Sequence, residues 1–186
     1  MKRIFDLIVA FILSVALFPP LLLIALWVKM TSRGPVLYWS DRIGVNNRIF
    51  SMPKFRTMQC EAPVVATHLL GNPARYLTRI GWFLRKTSLD ELPQLYSILR
   101  GHISFVGPRP ALFNQGDLIT FRTEKGVHRI IPGLTGWAQV NGRDDLSIPK
   151  KVEFDAYYLT HRSFLFDLRI LGMTFLQVLR SKGITH

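Results

Sequence analysis

Leu7-Ile8-Val9-Ala10-Phe11-Ile12-Leu13-Ser14-Val15-Ala16-Leu17-Phe18-Pro19-Pro20-Leu21-Leu22-Leu23-Ile24-Ala25-Leu26-Trp27-Val28 is a run of 22 uncharged, almost wholly apolar residues. As a straight helix it would measure about 33 Å, enough to cross the hydrocarbon core of a bilayer. Pro19-Pro20 lies near its middle, removes backbone donors and forces a kink or a break. Basic residues flank both ends, with Lys2 and Arg3 before it and Lys29, Arg33, Arg42 and Arg48 after it. The positive-inside tendency therefore draws both ends to the cytoplasmic face. Together these features predict a helix–break–helix over residues 1–30 that enters one leaflet and returns, as part of one domain with residues 31–186.

The chain as a whole is strongly basic, with 24 Lys and Arg against 12 Asp and Glu, a formal charge of +12. Such a balance calls for an anionic partner: nucleic acid, anionic lipid or a phosphorylated substrate. The basic residues are dispersed and a membrane insert is poorly explained by nucleic-acid binding, so no nucleic-acid partner is expected. The single cysteine, Cys60, cannot form an intramolecular disulfide, and no cysteine–histidine cluster suggests zinc. Neither a P-loop, a dinucleotide fingerprint nor a Gly-x-Ser-x-Gly elbow is present.

The pattern after the insert predicts an α+β fold, mostly helical. Val36–Ile43 and Arg48–Met58 read as two strands joined by a turn at Gly44-Val45-Asn46-Asn47, with Pro53 marking an edge or irregular end. Cys60–Pro73 reads as a loop and Arg75–Arg85 as a helix. Asp90–Leu99 reads as a second helix, with Leu92, Leu95, Ile98 and Leu99 on one face and Gly101 closing it. A short strand, Ile103–Val106, leads into Gly107-Pro108-Arg109-Pro110, and the glycine-rich stretch from Pro132 to Arg143 cannot be one continuous helix. Phe164–Leu179 is amphipathic, with Leu168, Leu171, Phe175 and Val178 forming a stripe that suits either the core or a membrane interface.

Chemistry concentrates at Ser88-Leu89-Asp90-Glu91-Leu92-Pro93. Ser88 and Glu91 have capping-box spacing, Asp90 is itself a good N-cap, and Pro93 fits a first turn. Two carboxylates beside a helix N-terminus would favour the ionised state, although capping chemistry alone also explains them. Arg109, held between two prolines, presents a guanidinium with little entropy left to lose, which suits phosphate. Lys54 and Arg56 on the second strand, Arg85 and Arg143 could complete a cradle for a diphosphate, and Asp167 could supply a supporting polar contact. The carboxylates Asp90 and Glu91 could hold magnesium.

Five blocks, in order, resemble the monotopic phosphoglycosyl transferases, the small single-domain form of the bacterial sugar transferase group. They are the proline-broken N-terminal segment, Lys54-Phe55-Arg56-Thr57-Met58, Ser88 through Leu95, Ser104 through Pro110, and Pro132 through Arg143. The resemblance implies transfer of a sugar 1-phosphate from a UDP-sugar to polyprenyl phosphate, giving a polyprenyl-diphosphate sugar and UMP. It also implies Asp90 as nucleophile with Glu91 as its partner, either metal ligand or base, magnesium as cofactor, and a re-entrant helix with amphipathic interfacial helices and a β-hairpin. Residues 31–186 would then be a catalytic domain on the cytoplasmic face of the bacterial inner membrane, in contact with its lipid. The alternative from another class is a non-enzymatic basic adaptor that binds anionic lipid or an acidic partner.

Overall fold

The computed structural model describes residues 1–63, 73–142 and 145–179. Helix α1 (Lys2–Ala16) and helix α2 (Phe18–Thr31) meet at Leu17 with a bend of 61°. The prolines do not interrupt a helix but start one: they occupy the first turn of α2, where a missing N–H costs nothing. No single helix among the described residues is long and apolar enough to cross a membrane, whereas this bent pair passes by length and composition.

A hairpin follows, β1 (Leu37–Ile43) and β2 (Ile49–Phe55), antiparallel in the register Leu37↔Phe55 to Ile43↔Ile49. Asn46 and Asn47 carry its turn at φ of 54° and 58°, a left-handed conformation that asparagine tolerates. Pro53 sits opposite Trp39 in a sheet of only two strands, where a lost donor is harmless. The predicted helix over Arg75–Arg85 is shorter, a 3-10 turn (Pro73–Tyr76) followed by α3 (Gly81–Lys86). Between them the chain pairs with the end of the hairpin instead of coiling. Leu77 bridges Met58, and Thr78 N–H donates to the Thr57 carbonyl at 2.9 Å.

The predicted helix over Asp90–Leu99 also divides. Leu89–Gln94 is 3-10, and α4 (Leu95–Arg100) completes it, closed by Gly101 at φ 84°. Pro93 lies inside the 3-10 segment, where it cannot donate the i→i−4 bond an α-helix would need. Strand β3 (Ser104–Val106) runs parallel to β4 (Gly133–Thr135), with α5 (Gly116–Glu124) between them and α6 (Trp137–Val140) after. Helices α7 (Ile148–His161) and α8 (Phe164–Leu179) close the fold.

The main core gathers Ala10 of α1, Met52 of β2, Leu95 and Ile98 of α4, Phe105 and Val106 of β3, Tyr158 of α7 and Ile170 of α8. A second cluster joins Ile24 and Val28 of α2 to Phe55, Ile80 and Leu84. Both halves of the bent pair thus pack on the same body. Their other faces, with Phe11, Ile12, Val15, Phe18, Leu22, Leu23 and Leu26, are exposed. Helix α8 also divides: Asp167 and Ile170 are buried, and of the stripe named from the sequence Leu171 packs against the core while Leu168, Phe175 and Val178 are exposed.

Both ends of the pair are fastened by charged side chains. The Lys2 ammonium donates to the Val106 carbonyl (2.9 Å) and pairs with Asp167, and Arg3 donates to the carbonyls of Ile98 and Leu99 at the end of α4. At the far end, the buried Arg56 guanidinium donates to the carbonyls of Ser32, Arg33 and Pro35 just beyond α2. Arg3 serves carbonyls in the last turn of α4, which the helix terminus leaves open, whereas Arg56 serves the non-helical chain that follows α2.

Candidate active site

Ser88 enters the carboxylate turn at φ 57°, a left-handed conformation that costs a non-glycine residue energy and is tolerated where surroundings impose it. Its N–H donates to the Arg85 carbonyl at 3.0 Å, and its carbonyl accepts from Glu91 N–H at 3.2 Å. The capping-box expectation fails, because no side chain caps this turn and the Glu91 carboxylate turns instead to Arg109. The expectation that the helix terminus keeps Asp90 ionised fails with it. Asp90 is 7% exposed, and burial, reinforced by Glu91, pushes its carboxyl up to about 6 against the pull of Lys54, Arg85 and Arg109.

Glu91 behaves oppositely. Burial alone would raise it, but the charge and hydrogen bond of Arg109, with Lys54 and Arg42, bring it below the usual range. Two adjacent carboxyls are thus driven apart, one close to neutral pH and one firmly ionised. That divergence separates their possible chemical tasks.

The cations come from four elements. Lys54 on β2 is drawn down to about 8 by burial and by Arg42, with Asp90 and Glu91 opposing. Arg85, at the end of α3, donates from Nε to the Thr57 hydroxyl at 3.0 Å, and burial lowers it although Asp90 opposes. Arg109 clamps Glu91 through both terminal nitrogens and donates to the Leu134 carbonyl at 3.3 Å. Arg42 donates to the Ser40 hydroxyl at 3.0 Å and to the Pro110 carbonyl at 3.2 Å.

Arg42 went unrecognised in the sequence as part of this site. Its signal was there: strand alternation and the register Tyr38↔Lys54 put Arg42 on the hairpin face that carries Lys54. The structure brings together Asp90, Glu91, Lys54, Arg85 and Arg109. Arg56 is spent on the end of α2. Asp167 is paired with Lys2 and accepts from the Tyr158 hydroxyl at 2.7 Å, so it ties α1 to α8. Arg143 lies outside the described residues.

The Arg109 loop rests on glycines. Gly107 N–H donates to the Thr135 carbonyl and Gly133 N–H to the Pro108 carbonyl, each at 2.9 Å. A Cβ on Gly133 would lie 2.1 Å from Gly107 N, and one on Gly136 would lie 2.1 Å from the Gly107 carbonyl oxygen. Only glycine permits this approach. The hairpin braces the loop from the other side, where Ile43 N–H donates to the Ala111 carbonyl at 2.9 Å.

Among the described residues no group of three or more His, Cys, Asp and Glu could hold a metal by itself. Magnesium seldom needs one, since one or two carboxylates suffice where substrate phosphates and water complete the octahedron. Asp90, whose ionised form is disfavoured by burial and by Glu91, is a donor whose charge a divalent cation would offset. The pair therefore fits magnesium as a partial donor set. Chemically, the site offers one tunable carboxylate, one fixed carboxylate and four nearby cations at the foot of an apolar helix pair.

Comparison with known proteins agrees with this chemistry. The family described as bacterial sugar transferase matches residues 1–181. An uncharacterized sugar transferase, EpsL, of Bacillus subtilis is 41% identical over 99% of this chain and 90% of its own length. An undecaprenyl-phosphate glucose phosphotransferase of Komagataeibacter xylinus is 42% identical over 93% of this chain, and an undecaprenyl-phosphate galactose phosphotransferase of Salmonella typhimurium is 36% identical over 98%. The chain spans only 35% and 41% of those two longer relatives.

Proposed function

The chain belongs to the bacterial sugar transferase family, and from that premise we propose that it transfers a sugar 1-phosphate from a UDP-sugar to polyprenyl phosphate at a membrane surface. The observation that carries this reading is the pair of buried Asp90 and partly buried Glu91 under the charges of Lys54, Arg85, Arg42 and Arg109. A diphosphate needs such cations, and a carboxylate in their midst is placed to attack phosphorus.

In the first step an Asp90 oxygen attacks the sugar-bearing phosphorus, a P–O bond to the bridging oxygen breaks, and UMP departs with the electron pair. In the second, a phosphate oxygen of polyprenyl phosphate attacks the acyl-phosphate phosphorus, and the Asp90 carboxylate leaves. Neither displacement demands a proton from Glu91. Its lowered pKa suits a fixed negative charge that orients Arg109 and shares a metal better than a base. Asp90 and Glu91 would hold magnesium, which when bound neutralises diphosphate charge. Lys54, Arg85 and the half-exposed Arg109 bind phosphate oxygens, and Arg143 is a further phosphate-binding candidate.

The bent pair supplies the lipid-facing part. Its apolar outer faces enter the cytoplasmic leaflet of the inner membrane and its two ends return to one domain, held by Lys2 and Arg3 at one end and Arg56 at the other. A water-soluble donor and a lipid acceptor then meet at the same aspartate. The test is UMP release with magnesium, polyprenyl phosphate and a panel of UDP-sugars. Acceptor-dependent UMP from wild type and none from Asp90→Asn supports the reading; wild type inert toward every donor refutes it.

A further inference from the structure

Behind the Arg109 loop lies a buried ion pair with no part in the chemistry above. Asp155 of α7 is 1% exposed and Arg122 of α5 is 8% exposed. Arg122 donates from Nε (2.9 Å) and Nη2 (2.6 Å) to the same oxygen, Oδ2 of Asp155. Its remaining terminal nitrogen, Nη1, donates to the main-chain carbonyl of Arg109 at 2.7 Å. One guanidinium thereby spans two helices and the residue that clamps Glu91.

The segments on either side of Arg109 are tied through the Gly107 N–H and the carbonyls of Pro108, Pro110 and Ala111, and the bond from Arg122 adds the tie at Arg109 itself. Pro108 and Pro110 have no N–H to donate, so the carbonyl of Arg109 is one of the few main-chain handles available between them. A guanidinium aligned by a carboxylate is a rigid donor, because its planar fork cannot swing without breaking both bonds to Asp155. From this chain of contacts we propose that Arg122 and Asp155 are positioning residues for phosphoglycosyl transfer, holding the Arg109 backbone so that its side chain meets Glu91 and substrate phosphate. The proposal rests on the function argued above. It adds α5 and α7, which carry none of the site's own side chains, as the frame on which the Arg109 loop is set.

A buried ion pair is a poor stabiliser compared with apolar residues of similar volume, so its removal can be made without loss of the fold if both partners are replaced together. The test uses the full chain carrying Arg122→Met with Asp155→Leu, in wild-type and Arg109→Ala backgrounds, reconstituted in nanodiscs. In the wild-type background the double exchange is expected to lower kcat/KM for the UDP-sugar about 100-fold while melting stays within a few degrees, since a loop misplaced by about 1 Å costs that much. In the Arg109→Ala background the same exchange is expected to cost less than about 3-fold, because residues acting through Arg109 have nothing left to position.

An equal penalty in both backgrounds, or full turnover by the folded double variant, overturns the proposal. Where the double variant does not fold, Arg122→Lys takes its place: it keeps a charge beside Asp155 but has no fork to serve the Arg109 carbonyl as well. Wild-type turnover by that variant also overturns it. Hydrogen exchange across residues 107–111 is read in parallel and does not depend on turnover. Faster exchange confined to that segment supports the positioning role even if no UDP-sugar is a substrate, and unchanged exchange there counts against it.

Discussion

Asp90→Asn should stabilise the protein at neutral pH while abolishing transfer. The Asp90 carboxyl is pushed from 3.8 to about 6. Its folded-state pKa is raised, so the folded protein holds the proton more tightly than the unfolded chain, and stability is lost as pH rises through the folded pKa. Two pKa units correspond to about 3 kcal/mol by pH 7 and only about 1 kcal/mol at pH 4.5, where the folded carboxyl still holds its proton and the unfolded one has only begun to gain from ionising. Asparagine resembles the protonated acid and carries no such penalty. Lys54, which titrates at about 8 with the Asp90 charge supporting it, is lowered further in the variant, an effect that works against the gain and is felt at pH 7 rather than at pH 4.5.

The assay is thermal melting of wild type and variant in the same nanodiscs at the two pH values. At pH 7 the variant should melt about 6–12 °C higher, and at pH 4.5 the gap should shrink to a few degrees. Taking the difference between variants removes the titrating groups that do not face Asp90. A gap that does not change with pH, or a variant less stable at pH 7, refutes the claim that burial of an ionised nucleophile is where this fold gives up stability for activity.

The same groups shape the activity profile. With Asp90 required ionised and Lys54 required protonated, kcat/KM should rise through about pH 6 and fall through about pH 8; Lys54→Met should remove the alkaline limb, read in the UMP-release assay. Gly133→Ala should cost about 2–4 kcal/mol or block folding, because the new methyl would sit 2.1 Å from Gly107 N, and melting reports it. In a Cys60→Ser background, Ile4→Cys and Met30→Cys should label from the same side of sealed vesicles with a membrane-impermeant thiol reagent. Labelling from opposite sides contradicts the re-entrant pair.

Composition and spacing carried much of the outline. The apolar run, its prolines and its basic flanks made the bent pair readable, because a long apolar stretch broken by prolines is a signal carried by consecutive residues. The hairpin was readable from alternation and its asparagine turn. What misled was local helix grammar. Ser88-x-x-Glu91 has capping spacing, yet Glu91 found a stronger partner 18 residues away in Arg109, and a charged hydrogen bond outweighs a cap. Arg75–Arg85 has helical composition, but pairing of Thr78 with the end of β2 took the backbone donors a helix would have used.

Within the site, the two carboxylates and three of the four cations that act on them were legible, while Arg42 and the supports were not. Lys54 and Arg109 stand in distinctive blocks, and Arg85 lies five residues before Asp90. Arg56 stands two residues from Lys54, where strand alternation would give it the same face, but β2 ends at Phe55 and Arg56 turns instead to the carbonyls of Ser32, Arg33 and Pro35. Asp167 has the residue type of a site acid but is bound by a lysine 165 residues earlier, a contact that no local pattern announces. Arg122 and Asp155 are separated from the site and from each other by whole helices, so only folding reveals them.

The proposed function turns on Asp90 carrying the sugar phosphate between donor and acceptor. The most direct measurement is to mix the wild-type protein with magnesium and a turned-over UDP-sugar labelled in the sugar, omit polyprenyl phosphate, quench and map the label by mass spectrometry. The account predicts sugar phosphate attached to Asp90, formed with one UMP per site, labile to hydroxylamine and discharged when polyprenyl phosphate is added. An enzyme that turns over yet never labels, or labels at another residue, contradicts it.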